Sequence, residues 1–389
     1  RLATELDPDL IEARYHLGLA YRALDRLDDA EQVFAAALRK QPDNRFIQAA
    51  ILTAAAAEAG ARVVKSGGGQ KIAMHLSRPG DFNALYPLFE AVGHRHWPMI
   101  SADAAEIAAF GPEVVLTTNA RMAALRAHVP GAKLVHIPTS PVRHEDEISL
   151  CVAADAVCAV TAADQVALVA AGIPARRVWV AGLPAADPVF AGVTARRSSA
   201  NKNPDNRKRL LFAPSFRPRV SAAPVLSESL AKLCNEHRGT YHVTIMPDPI
   251  TFESQPGWIA GWRAMVAGRD DMTLIEDRGA NVIDLMAGAE ALISDYSDLA
   301  FLFLAFDKPM ILLGKEAGAY LSPQQTALLQ SAAHTIAEPD MLEAALGEVL
   351  DHNALDAEQR ARIRSVVFDS YGDGKAGHRV IAKLSDFLL

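Results

Sequence analysis

Cysteine is scarce: Cys151, Cys158 and Cys234 are the only three in 389 residues, and none forms a Cys-x-x-Cys pair. An odd count without paired spacing argues against a disulfide framework and for a reducing compartment. Long apolar runs are missing too. No stretch approaches 18 uncharged apolar residues, so no membrane-crossing helix is expected. Excess positive charge is absent, since 39 Lys and Arg face 46 Asp and Glu for a net charge of −7. That balance gives no global field to hold a nucleic-acid backbone. The basic clusters Arg196-Arg197 and Arg207-Lys208-Arg209 lie among Ser, Asn and Pro, as in a solvated linker. Position 1 is Arg1, which opens neither a signal peptide nor an intact reading frame, so a longer chain is expected upstream.

What is present is an ordinary globular balance, 50% hydrophobic and 22% charged. At roughly 100–200 residues per domain, the length suggests two or three domains. Such a chain can bury several cores without disulfides or metals.

Residues 11–44 are rich in small and aromatic residues at Leu17, Gly18, Tyr21, Ala30, Phe34 and Ala37, closed by Pro42. This stretch resembles one tetratricopeptide repeat, in which two antiparallel helices pack closely. Gly18 and Ala30 would let the backbones approach while Tyr21 and Phe34 fill the space beside them. Pro8 lies one 34-residue period before Pro42, so residues 1–10 read as the tail of a preceding repeat. An Ala-rich helix over 45–60 would cap or link the array. A repeat segment of this kind offers a face to a protein partner.

After Gly67-Gly68-Gly69 the pattern becomes short apolar runs alternating with helical segments. The runs are 71–76, 98–100, 113–117, 133–137, 156–160 and 178–181, then 209–213, 242–246, 272–275, 291–294 and 309–313. Alternation of this kind predicts parallel sheets covered by helices. The polar, turn-rich stretch 191–208 divides the two series. The expected organisation is a repeat segment over 1–62, an acceptor-side α/β domain over 70–190, a linker over 191–208 and a donor-side α/β domain over 209–389. Ligands belong at the carboxyl ends of the strands, in the cleft between the domains.

The sharpest local signal is the strand ending at Ser294, followed by Asp295-Tyr296-Ser297-Asp298 and an apolar helix to Phe306. Ser297 or Asp298 would cap that helix, and its N–H groups suit an anion, with Ser294, Tyr296 and Ser297 donating hydroxyls. This segment resembles the hallmark of the CDP-glycerol glycerophosphotransferases of teichoic acid and capsule synthesis, with Lys308-Pro309 leading into the next strand. Three further stretches are similar to the family's motifs: Leu211-Phe-Ala-Pro-Ser-Phe-Arg217, Val180-Ala-Gly-Leu-Pro-Ala-Ala-Asp187, and the ending Asp373-Gly-Lys-Ala376 with Arg379. The resemblance covers about 110–389.

It implies an α/β GT-B-like pair of Rossmann-type domains, here preceded by an α-helical tetratricopeptide repeat segment. It also implies a transferase moving a glycerophosphate or glycosyl group from a CDP- or CMP-linked donor to a glycan, polyol-phosphate or protein acceptor. No cofactor beyond the nucleotide-diphosphate donor substrate is implied. Donor contacts fall to Pro214, Ser215, Arg217, Ser294, Asp295, Tyr296, Ser297 and Asp298. A cytoplasmic location follows, with a possible peripheral position at the inner membrane face.

The chain departs from the family at two histidines. Thr139 and Asp248 stand where the family has His-Gly and His-Pro turns, Ala185 replaces an Arg, and Asp298 a Ser. Threonine cannot act as a general base near neutral pH, whereas imidazole can. His136, His144 or Asp248 could take that role, with His136 and Asp248 the leading candidates. His94 and His96 alternate as a surface strand would, without a third metal ligand. The lost histidines keep other readings open: a repeat-docked protein glycosyltransferase using a nucleotide sugar, a non-catalytic scaffold of the same fold, or a nucleotide-sugar epimerase.

Overall fold

The computed structural model describes residues 10–24, 26–118, 122–143, 148, 151–194, 206–313, 321–351 and 354–388. The repeat tail over 1–9, the Arg196-Arg197 pair and His144 lie outside the described residues. Three helices come first: α1 (Ile11–Ala23), α2 (Leu27–Lys40) and α3 (Arg45–Lys65). Helices α1 and α2 form a close hairpin whose contact is set by Gly18. A Cβ there would stand 2.4 Å from the Phe34 ring, so only glycine lets the two backbones approach. Ala30, Phe34 and Ala37 are fully buried at that contact, together with Ile47 of α3.

Helix α3 is longer than the expected 45–60 segment and does more than link. The Thr53 hydroxyl donates to Ile100 O and accepts from Ile100 N, both at 2.9 Å, and Gly60 lies flat against Trp97. By length and composition this one helix could cross a membrane, an exception to the sequence expectation. Its apolar character is used in part here on the edge strand of the first sheet.

Two six-stranded sheets follow. The first holds β1 (Lys71–His75), β2 (Trp97–Ser101), β3 (Val114–Thr117), β4 (Lys133–His136), β5 (Ala156–Ala159) and β6 (Val178–Val180) in the order 2-1-3-4-5-6. The second holds β7 (Lys208–Ala213), β8 (Tyr241–Ile245), β9 (Met272–Leu274), β10 (Ala291–Ser294), β11 (Met310–Leu313) and β12 (His334–Ile336) in the order 12-11-10-7-8-9. Every pairing is parallel. Helices cover both faces, which is why the central strands are buried almost without interruption. The sequence reading has no counterpart for β12, a three-residue edge strand.

One core joins the two halves. It runs from Ile72, Leu116 and Val135 of the first sheet, through Ala181 and Leu183, to Leu292, Phe301 and Phe303 of the second, and includes Val380 and Leu384 near the C-terminus. Each sheet buries its other face separately. The C-terminal helix (Ala376–Phe387) packs on α4 (Phe82–Val92) and sets Phe387 edge-on against Trp179 at 5.0 Å.

Candidate functional site

In the second sheet β7 and β10 are neighbours, and the chain winds outward from them in opposite directions. Such a switch point opens a crevice at the carboxyl ends of the two strands. A cavity of about 250 Å³ occupies it, lined by Pro214, Ser215, Arg217, Asp248, Ser297 and Asp298. Gly80 and Asn83 of the first half close the opposite side, and Asp277 and Arg278 a third. The strand-end turns of the 211–217 and 294–298 stretches therefore meet at one site, together with the turn after β8 that carries Asp248.

Three of the expected donor contacts lie beneath this cavity and not on its wall. Ser294 is fully buried and donates its hydroxyl to Ala213 O at 2.6 Å, tying β10 to β7. Tyr296 is 1% exposed, and its hydroxyl lies 3.3 Å from Thr335 Oγ1 on β12. Asp295 is also fully buried; its Oδ2 accepts from the backbone N–H of Ser215 at 2.8 Å and of Ala222 at 3.0 Å. Asp295 thus holds the Pro214–Arg217 turn, Ser294 ties two strands together and Tyr296 reaches β12, so the expectation that Ser294 and Tyr296 donate hydroxyls to a ligand and that Asp295 contacts it is corrected. Burial outweighs the two N–H bonds and pushes the Asp295 carboxyl up to about 6. The following helix is short (Asp298–Phe303), and Ser297 occupies its N-cap position without its hydroxyl capping the turn.

Arg217 is solvent-exposed on the cavity wall, its guanidinium 5.1 Å from the Phe216 ring centroid. Asp248 is half-buried, and its Oδ1 accepts from Ile250 N at 2.8 Å. Burial raises its pKa, while the nearby positive charges of Arg78 and Arg217 oppose that rise. Arg78 follows β1 of the first sheet, so opposite halves of the molecule place their charges on one carboxylate.

His136 ends β4 and is fully buried. The Arg143 guanidinium, which can only donate, lies 3.3 Å from its Nδ1, and Arg143 is in turn paired with Asp164 at 3.1 Å. Burial, reinforced by that cation, lowers the His136 pKa to about 3. A neutral imidazole without access to a solute serves packing, and its candidacy as the base is set aside on that ground. Thr139 is half-buried in the turn beyond it. His94 and His96 occupy the turn before β2, not a strand, and His96 Nδ1 accepts from Gln70 N at 3.3 Å.

The remaining two motif stretches meet each other instead of the cavity. Both carboxylate oxygens of Asp187 accept from the N-terminus of the C-terminal helix, Ala376 N at 2.9 Å and Gly377 N at 2.8 Å. Arg379 donates to Ala181 O at 3.1 Å and pairs with Asp373. Gly374, at φ +74°, and Gly377 leave no room for a Cβ against Ala191 N and Pro87 O. Lys308 is structural in the same sense. Its ammonium donates to the carbonyls of Met286, Ala287 and Ala289 at the end of the helix Val282–Gly288, and burial lowers its pKa to about 8.

Sequence reasoning did not single out Arg78, Asn83 or Arg278. The Arg78-Pro79-Gly80-Asp81 turn after the first strand was the available signal, because a turn there faces the cleft of a parallel sheet.

A profile of the family described as CDP-glycerol:poly(glycerophosphate) glycerophosphotransferase matches residues 156–385. No curated protein matches in sequence. Among solved structures, a variant of the wall teichoic acid polymerase TagF superposes with a TM-score of 0.61 at 12% identity, covering 97% of each chain. The S. aureus MnaA–UDP structure gives 0.58 at 16% identity, over 82% of this chain and 97% of that one. The UDP-GlcNAc 2-epimerase from Neisseria meningitidis bound to UDP-GlcNAc gives 0.53 at 13%, over 82% and 99%. Identities this low speak to fold: two parallel-sheet α/β halves of GT-B-like form.

Proposed function

The chain belongs to the CDP-glycerol:poly(glycerophosphate) glycerophosphotransferase family and is a transferase using a nucleotide-activated donor; from that premise we propose that it moves a glycerophosphate or glycosyl group from a CDP- or CMP-linked donor to a glycan, polyol-phosphate or protein hydroxyl. The observation that carries this reading is the switch-point cavity in which Ser215, Arg217, Asp248, Ser297 and Asp298 converge against Asn83 of the other half. The diphosphate lies along the Pro214–Arg217 turn, with the Arg217 guanidinium neutralising its charge. The Ser297 hydroxyl reaches the same group, whereas the Ser215 hydroxyl is buried and Ser215 serves through the backbone of the turn. Asp248 accepts the proton of the acceptor hydroxyl. For glycerophosphate transfer, the freed oxygen forms the new O–P bond, the anhydride bond breaks, and CMP leaves with the electron pair. Arg217 and Arg78 stabilise the negative charge that builds on the departing phosphate. The reading asks for no cofactor, since the donor is itself the activated substrate.

Residues 1–62 are read as a tetratricopeptide segment that docks a protein partner, with 70–190 the acceptor side, 191–208 the linker and 209–389 the donor side. The fit of Gly18 against Phe34 supports the repeat reading. Three free, buried cysteines suit the cytoplasm, with the inner membrane face as the working surface for a lipid-linked acceptor.

Calorimetric titration of CDP, CMP, UDP and GDP tests the donor assignment. A cytidine nucleotide is expected to bind selectively. Arg217→Ala should weaken that binding by roughly 10- to 100-fold, the loss of one charge-assisted contact, without changing Tm because Arg217 is exposed. Preference for UDP would turn the reading towards a sugar transferase or an epimerase. Failure of every nucleotide to bind would overturn it in favour of a scaffold.

A further inference from the structure

A second cavity, about 500 Å³, lies beside the first. It sits where three parts of the chain meet: α3, α4 with the Asp187–Val193 turn, and the start of the helix Val282–Gly288. Its size falls in the roughly 300–1,000 Å³ range of small-ligand sites. The two cavities share a wall. Asn83 lines both, and along the chain Ala280 and Val282 face the first cavity while Asn281 and Ile283 face the second. Asn83 is half-buried, and its side-chain amide makes no hydrogen bond among the described residues. A group threaded through the second cavity would therefore reach the donor past an amide still able to donate and accept.

The chemistry of the lining selects what can enter. Stacked Phe82 and Tyr86 rings, 5.4 Å apart and 17° from parallel, form an apolar platform on one side. Three amides stand around it: Asn83, and two already bonded within the fold, Gln48 to Pro42 O and the Arg45 guanidinium and Asn281 to Asp284 and Ile283 N, whose oxygens keep a second lone pair for a ligand hydroxyl. Charge on the walls is mostly negative. Glu90 and Asp284 are exposed carboxylates. Arg45, the cation among them, is 7% exposed and directs its guanidinium to Gly279 O at 3.0 Å and Gln48 Oε1 at 2.6 Å. A chain of phosphodiesters would meet two exposed carboxylates, while the one guanidinium on the wall is buried with its donors turned to carbonyl oxygens; hydroxyls suit amides and carboxylates alike. We propose that this cavity is the acceptor subsite and that it takes an uncharged polyhydroxyl segment, a sugar or polyol, in preference to a phosphodiester polymer. The assignment of the acceptor role rests on the donor reading above.

Saturation-transfer NMR and calorimetry without nucleotide test it, with chitobiose as the neutral probe and glycerol 3-phosphate as the charged one. Chitobiose is expected to bind at least tenfold more tightly. Tyr86→Ala should weaken chitobiose at least tenfold and leave CDP affinity within twofold, which also shows that the variant is folded. Should Tyr86→Ala fail to fold, Gln48→Ala carries the same test with a smaller, three- to fivefold loss. Replacing both Glu90→Gln and Asp284→Asn should tighten glycerol 3-phosphate at least fivefold. The proposal is overturned if chitobiose does not bind, if glycerol 3-phosphate binds as well as chitobiose, or if the folded Tyr86→Ala protein keeps full chitobiose affinity. Absence of CDP binding with chitobiose binding intact would count against the donor reading and the acceptor role, and leave the saccharide site standing.

Discussion

Two pairs of motif stretches resemble the same family, yet they do different work. The 211–217 and 294–298 stretches end parallel strands and leave Ser215, Arg217, Ser297 and Asp298 on a cavity wall. The 180–187 and 373–379 stretches spend their polar groups on each other, Asp187 on two backbone N–H groups and Arg379 on Asp373 and Ala181 O. A family signature can thus mark either the wall of an open cavity or a place where the chain fastens to itself. The difference shows in whether a side chain's hydrogen bonds are already satisfied within the fold.

That contrast can be broken by substitution. The largest effect is expected at the cavity. Asp248→Asn should lower kcat by roughly 10²–10⁴, the usual worth of a positioned base, with Tm and CDP affinity nearly unchanged. A kcat within threefold of wild type would remove Asp248 from the chemistry. Next comes the fastening. Asp187→Ala leaves two buried N–H groups unanswered and should cost roughly 2–5 kcal/mol of stability, read by urea unfolding, while CDP affinity in the folded fraction stays the same. Loss of CDP affinity without loss of stability would reverse the assignment of the two regions.

The smallest effect is expected at Asp295, which belongs to the cavity motif but behaves like the fastening. Its carboxyl is raised from 3.8 to about 6 in the folded protein. The stability it contributes is therefore fully present below pH 3.8 and is lost as pH rises through about 6. Asp295→Asn cannot titrate, so Tm should fall less between pH 4 and 7 than in wild type, by at most about 3 kcal/mol of equivalent stability. Parallel Tm profiles for the two proteins would place the Asp295 pKa near its ordinary value.

Much of the α/β architecture was legible because buried parallel strands are short, continuous apolar runs bounded by turns. His334–Ile336 escaped because three residues at a sheet edge, one of them exposed, carry no such run. That Pro214, Ser215, Arg217 and Asp248 lie at the crevice could be read because strand-end turns must face it. Ser294 and Tyr296 were misplaced for a related reason: sequence places them near the crevice but does not say which side of the pleat each occupies. Ser294 pairs with Ala213 in the ladder and points its hydroxyl inward. His136 is the same case in the first sheet, where Arg143, seven residues on, folds back and seals it. Arg78 and Asn83 were out of reach because their nearness to Asp248 is made only when the two halves pack.

The fastening of Asp187 also has an order in time. Its two partners, Ala376 and Gly377, are 189 and 190 residues further along the chain. During synthesis every residue lining the first cavity leaves the ribosome before they do. Until they arrive, the segment around Asp187 must keep its carboxylate in water or bury it unanswered, which is costly. The nascent chain therefore finishes its first half last, and a copy ending short of Ala376 would carry all of the first cavity's wall yet lack the helix that closes over the first half.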